Sequence, residues 1–288
     1  MYAGDSTAAG NPTQQPKANS RSNKLKVEAS PGYALVTGAS RGLGRCFART
    51  LAARKQNLVL IARSRERLEA LALELRTAHG IEVESIPFDL ARTGAGQRLA
   101  DDLTSRGLKI DLLINNAGFG DQGRFLQLSL ERQLQAINLQ NATVVELTHR
   151  LLPGMIEQKQ GGIITISSMA GFQPIPFASV YSATKAFLTT FSLALEAEMS
   201  RFGIRVVTVC PGRLQVAPED LENSGERKKF PGGEQTHEEV VNEALRTFDR
   251  GGGLVIPGAV NKFAAFAERF VPRSKVARLI KKISKPPN

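Results

Sequence analysis

The chain has 288 residues, 42% of them hydrophobic, a length that suits one large α/β domain or two small ones, and no apolar run reaches the roughly 18 residues of a membrane-spanning helix. Its formal charge of +11 sits at the ends: residues 1–33 carry +2 and residues 261–288 carry +7, which leaves a nearly neutral middle and no indication of a nucleic-acid groove. Cys46 and Cys210 lack CxxC spacing and His79, His149 and His237 form no ligand pattern, so a metal site is not expected; the cysteines read as small buried apolar residues of a reducing, cytoplasmic compartment.

Residues 1–32 are rich in Ser, Asn, Gln, Pro and Gly without apolar periodicity, and read as a disordered leader with no secretory core. No linker-like composition interrupts residues 33–260, which are read as one domain. Ala34-Leu35-Val36 is a short buried strand, followed by Thr37-Gly38-Ala39-Ser40-Arg41-Gly42-Leu43-Gly44 and a helix through Leu51. Such a strand-to-helix turn lets the backbone approach a pyrophosphate and aims helix N-terminal amides at it. The spacing is Gly-x3-Gly-x-Gly, not the commoner Gly-x-Gly-x2-Gly, and turns of this kind also simply connect a strand to a helix.

Further along, strands are expected at 58–62, 82–87, 112–114, 163–167, 204–209 and 254–256, with a helix at 65–79 after the second. Apolar strands alternating with amphipathic helices predict a parallel sheet covered on both faces, with ligand at the carboxyl ends of the strands. Asp89, Asn116 and Ser168 all fall just past such ends.

A helix over 179–199 places Tyr181 and Lys185 on one face, with Ser168 thirteen residues upstream of the tyrosine. A phenol of pKa roughly 10 is a poor acid or base at neutral pH, and a nearby ammonium is expected to lower it. With a serine hydroxyl aimed at the same substrate oxygen, the three make a device for moving a proton on a carbonyl or alcohol. The same spacing also describes a packed ring beside a solvated charge.

Thr-Gly-x3-Gly-x-Gly (37–44), Asn115-Asn116-Ala117-Gly118, Asn138, Ser168, Tyr181-x3-Lys185 and Pro211-Gly212 come in the order of the short-chain dehydrogenase/reductase family, and the chain resembles its single-domain branch from about Tyr33 to Val260. The resemblance implies a Rossmann-type, doubly wound parallel sheet of about seven strands. It also implies hydride transfer between a nicotinamide and a small carbonyl or alcohol substrate. Tyr181 is then the acid/base, Lys185 lowers its pKa and holds the ribose, Ser168 orients the oxygen, and Asn138 helps hold a proton-relaying water. Gly38, Ser40, Arg41, Gly42, Leu43, Gly44, Asp89, Leu90, Asn116, Ala117, Gly118, Pro211 and Gly212 are implied to line the cofactor. An ordinary buried asparagine, and arginines that are only solvated loop charges, stay open as readings of Asn138 and of Arg41 and Arg63.

Cofactor choice follows charge. The end of the second strand is Ala62-Arg63-Ser64-Arg65, with no acid before Glu66, so Arg63, with Arg41, which the resemblance implies lies near the adenosine ribose, favours the 2′-phosphate of NADP (NADPH) over NAD. Val216 stands where the family commonly has a threonine, with Gln215 or backbone groups as substitutes, and residues 217–235 read as a substrate lid. Phe119, Met169, Phe172, Ile175 and Phe177 hint at an apolar substrate wall and serve equally as packing. A cofactor-binding sensor or scaffold with little catalysis is the rival function. In the tail, 261–288, Phe263, Phe266 and Phe270 and then Val276, Leu279, Ile280 and Ile283 recur at helical spacing among Lys275, Arg278, Lys281 and Lys282. Such a basic amphipathic helix packs on its own domain or a second subunit, or lies on an anionic membrane. The family's habit and the absence of Trp favour a homo-oligomer with at most a weak peripheral membrane contact.

Overall fold

A computed structural model describes residues 32–216 and 233–283. The leader and most of the lid, 217–232, lie outside the described residues, as do residues 284–288. Seven strands form one sheet: β1 Tyr33–Thr37, β2 Asn57–Ala62, β3 Val83–Pro87, β4 Ile110–Asn115, β5 Gly162–Ile166, β6 Arg205–Val209 and β7 Gly253–Val255. Their order is β3-β2-β1-β4-β5-β6-β7, and every pair is parallel. The helices are α1 Gly42–Ala53, α2 Arg65–His79, α3 Ala95–Ser105, α4 Leu130–Ile137, α5 Thr143–Gln158, α6 Ser179–Met199, α7 His237–Asp249, α8 Ala259–Ala267 and α9 Arg273–Ile283.

Successive side chains along a strand point to opposite faces, and both faces here are apolar. Ala34 and Val36 of β1, with Leu58 and Leu60 of β2, pack under Phe47 and Leu51 of α1, Leu68 of α2 and Val240 of α7. Leu35, Val59 and Ile61 turn the other way, against Leu99 and Leu103 of α3 and Leu147 and Met155 of α5. Each fully buried Leu, Val or Ile contributes roughly 1.5–3 kcal/mol relative to exposure, which is what holds the two helix layers on. This is the Rossmann-type architecture expected from the strand and helix rhythm.

Sheet order reverses at β1, which pairs with β2 on one side and β4 on the other. The carboxyl ends of these strands open the crevice in which ligands of such sheets bind. One irregularity bears on the site: α4 runs into α5 through a π-helical turn, Asn138–Ala142. The extra residue per turn rotates the side chains that follow it relative to a continuous α-helix.

Candidate active site

The glycine turn after β1 is shaped by what its residues lack. Gly38 and Gly42 have φ of +67° and +53°, where a Cβ is unfavourable. A Cβ on Gly44 would run into the Gly38 carbonyl and lie 2.6 Å from Asn116 Nδ2, so α1 packs this close only with glycine there. The N-cap residue of α1, Arg41, makes no side-chain capping bond and the first turn has no acidic residue, an arrangement in which the helix dipole favours an anion.

Thr37 and Asn116 lock this turn to the end of β4. Thr37 Oγ1 donates to the Ile114 carbonyl (2.9 Å) and accepts from the amides of Asn116 (2.9 Å) and Ala117 (3.1 Å). Asn116 Nδ2 donates to the carbonyls of Thr37 (2.8 Å) and Gly38 (3.3 Å). The Asn116 side chain thus braces the turn, while its residue and Ala117 and Gly118 line the cleft.

That cleft has a volume of about 820 Å³ and runs between two chemically distinct ends. Ser40, Arg41, Arg63 and Arg67 stand at one end, and Ser168, Tyr181 and Lys185 at the other. Gly38, Gly42, Leu43, Asp89, Leu90, Gly118, Pro211 and Gly212 line it, whereas Gly44 acts from behind through packing. Asp89 Oδ1 accepts from the Ala91 amide (3.1 Å), and its other oxygen lies 3.6 Å from Arg92. Arg67, in the first turn of α2, joins Arg41 and Arg63 without being marked by the sequence at the end of β2. Glu66, the first acid after β2, does not line the cleft.

At the far end β5 delivers Ser168, and the N-terminal half of α6 delivers Tyr181 and Lys185. Ser168 Oγ accepts from the Ala170 amide (3.1 Å), and its hydroxyl neighbours the Tyr181 phenol. Lys185 is buried; its Nζ donates to the Ile166 carbonyl (2.9 Å) and sits 5.8 Å from the centroid of the Tyr181 ring. Burial pushes the Lys185 ammonium down from 10.5 to about 8. The expected lowering of the Tyr181 pKa does not hold in this structure. Burial pushes the phenol above 10, and only the Ser168 hydroxyl opposes that shift. Lys185 bonds the Ile166 carbonyl and lies 5.8 Å from the ring centroid, and the burial of the phenol outweighs its influence.

Asn138 requires a correction. Its Nδ2 faces Thr93 Oγ1 at 3.5 Å and it does not line the cleft. The polar residue that the π-turn delivers there is Gln140, fully buried, whose Nε2 donates to the Phe119 carbonyl (2.8 Å). Its Oε1 is buried without a protein partner among the described residues. Nothing in the local sequence marks a π-turn, so the resemblance pointed to Asn138, two residues before the side chain that the turn brings to the cleft.

Gln235 was also missed. Its side chain accepts from the Gly212 amide (2.8 Å), and its backbone pairs with Arg213 and Gln215, fixing the strip that carries Val216 into the cleft. The apolar wall is divided. Phe119 lines the cleft, but Phe172 and Ile175 line a separate groove of about 410 Å³ on the other side of α6, and Met169 and Phe177 line neither.

A profile of the short chain dehydrogenases matches residues 32–226. The chain belongs to the short-chain dehydrogenase family. Very-long-chain 3-oxoacyl-CoA reductase of Anas platyrhynchos is 37% identical over 185 residues, and ketoacyl reductase HetN of Nostoc sp. is 38% identical over 178 residues. Each alignment takes in 62% of this chain, which spans 58% and 62% of the respective relatives' own lengths. A solved short-chain dehydrogenase from Sphingobium yanoikuyae in complex with NADPH superposes with a TM-score of 0.73 at 32% identity, covering 88% of this chain and 98% of that one. In this short-chain dehydrogenase the glycine turn fits a dinucleotide: two left-handed glycines, a helix N-terminus with no acidic residue in its first turn and a cluster of arginines meet in one cleft.

Proposed function

We propose that the protein is an NADP-dependent oxidoreductase that interconverts an apolar carbonyl compound and its alcohol. The observation that carries this reading is the single cleft with Ser168, Tyr181 and Lys185 at one end and Arg41, Arg63 and Arg67 at the other. When bound, the nicotinamide supplies or accepts the hydride.

The chain's own residues do the rest. Tyr181, held neutral by burial, donates its phenolic proton to the substrate oxygen in the reductive direction. Ser168 donates its hydroxyl proton to the same substrate oxygen and stabilises its charge. Lys185, fixed by the Ile166 carbonyl, keeps a positive charge near the ring as the phenolate forms. The arginines bind the 2′-phosphate by charge-assisted hydrogen bonds. Phe119, Leu139 and Val216 give the cleft an apolar lining, and the names of the two relatives support a ketone carried on an acyl chain.

A panel of ketones, aldehydes, 3-oxoacyl thioesters and alcohols, assayed with NADPH or NADP, tests the reading. Turnover is expected with ketones, with Tyr181→Phe slower by at least about a hundredfold. No turnover with any of them, or an unchanged Tyr181→Phe, overturns it.

A further inference from the structure

Seven residues between 259 and 283 are basic, and Glu268 is the one acid among them. On α8 and the 3-10 turn after it, Phe263, Phe266 and Phe270 are 72%, 55% and 73% exposed, with Val260 and Val271 also open. Phe266 and Phe270 stack edge to face, their centroids 5.2 Å apart. Of α8 only Ala265 is buried, so packing on the domain does not use these rings. Lys262 anchors the helix to α7 by an ion pair to Glu243 (3.1 Å).

α9 is oriented differently. Val276, Ala277 and Ile280 are half-buried, and Ala277 borders the groove formed with Pro174 and Ile175. At 3.6 residues per turn, Lys275, Arg278 and Lys282 share the opposite face, and all three are exposed, with Leu279 beside them. The tail therefore turns a basic helix face outward and leaves three aromatic rings in water.

A contiguous aromatic stripe of this kind marks an interaction surface. A second copy is a poor partner, because a two-fold contact sets like charges against like. Nor is a membrane span available: among the described residues no helix is long and apolar enough to cross a bilayer. An anionic bilayer meets both features, taking the rings into the headgroup–acyl boundary and the cations onto the headgroups. We propose that α8 and α9 form a docking surface for anionic lipid bilayers. The assignment goes beyond the redox reading and does not depend on it.

The test is co-sedimentation of the full chain with vesicles of phosphatidylcholine alone or mixed in equal parts with phosphatidylglycerol, alongside sedimentation velocity without lipid. The protein should bind the mixed vesicles and not the neutral ones, and binding should weaken as salt rises from about 0.1 M to about 1 M and the Debye length falls from about 10 Å to about 3 Å. Phe263→Ser/Phe270→Ser and, separately, Lys275→Glu/Arg278→Glu/Lys282→Glu should each weaken binding at least about tenfold. Both sets change exposed side chains, so thermal melts should match the parent; if one set fails to fold, the other decides. Absence of binding to the mixed vesicles, equal binding to both vesicle types, or binding unmoved by the folded variants overturns the proposal. So does a fall in solution mass in the phenylalanine variant when the parent ignores the vesicles, the result expected of an interface between copies.

Discussion

Lys185 donates its ammonium hydrogen to the main-chain carbonyl of Ile166 at 2.9 Å, from a buried position on the cleft wall. The bond fixes the amine against β5 and leaves its charge 5.8 Å from the Tyr181 ring. A lysine held this way is useful to the chemistry and unfavourable to the fold.

The stability consequence has a definite sign. Burial lowers the Lys185 pKa from 10.5 to about 8, so between those values the unfolded chain binds more protons, and stability rises with pH. The penalty is full below pH 8, about 3 kcal/mol at roughly 1.36 kcal/mol per pKa unit, and fades as pH approaches 10.5. Lys185→Met removes that penalty and also a hydrogen bond of about 1 kcal/mol. The variant should be more stable than the parent by roughly 1–2 kcal/mol at pH 7 and should lose activity. Urea melts across the pH range check this: the gap must shrink between pH 8 and 10.5, and a gap independent of pH is evidence against the buried-cation account.

Asn138 and Gln140 should behave oppositely. Asn138→Ala breaks only the long contact to Thr93 and should change stability by under about 1 kcal/mol, with kcat nearly unchanged. Gln140→Leu strips the Phe119 carbonyl of its donor beside the Gly118 segment and should cost about 1–3 kcal/mol. Gln140→Leu should also raise KM for the cofactor, because Ala117 and Gly118 line the cleft along the same segment. Kinetics and melts of the two variants decide which residue serves the site.

Cofactor preference rests on the arginines. Arg41→Ala/Arg63→Ala should weaken NADPH binding at least about tenfold more than NADH binding, since two charge-assisted contacts of roughly 1.5–3 kcal/mol are removed for one ligand only. Arg67→Ala should act in the same direction. Titrations with both nucleotides are sufficient, and equal losses for both show that these side chains do not read the 2′-phosphate.

The sequence was most legible where one residue type has one physical use. Apolar runs such as Leu58–Ala62 announced parallel strands because both faces of the sheet are covered, and the observed ladders differ only by a residue or so at their ends. Gly38, Gly42 and Gly44 were legible because a Cβ is unfavourable at each for a stated reason. Gln140 was hidden, since a π-turn leaves no mark in a pattern of period 3.6. The fate of Phe172 and Ile175 was hidden too: which side of α6 a loop packs on is decided by tertiary contacts, not by spacing. In the tail, periodicity found the apolar residues but could not tell that Val276 turns inward while Phe263 and Phe270 turn out.

Gly44 and Gly154 offer the sharpest contrast between two helical glycines. In α1, a Cβ at Gly44 meets the Gly38 carbonyl and Asn116 Nδ2, and backbone cannot move aside without opening the turn that Thr37 and Asn116 hold closed. Gly44→Ala should therefore cost at least about 2 kcal/mol and weaken dinucleotide binding at the same time. In α5, nothing lies within 4 Å of a Cβ built on Gly154, and its φ is not positive. Gly154→Ala gains helix propensity and should stabilise by up to about 1 kcal/mol, with binding unchanged. Melts and NADPH titrations of the pair give the answer. A Gly44→Ala protein as stable as its parent means that α1 can shift on the sheet, and that the close approach at the glycine turn is not what the fold requires.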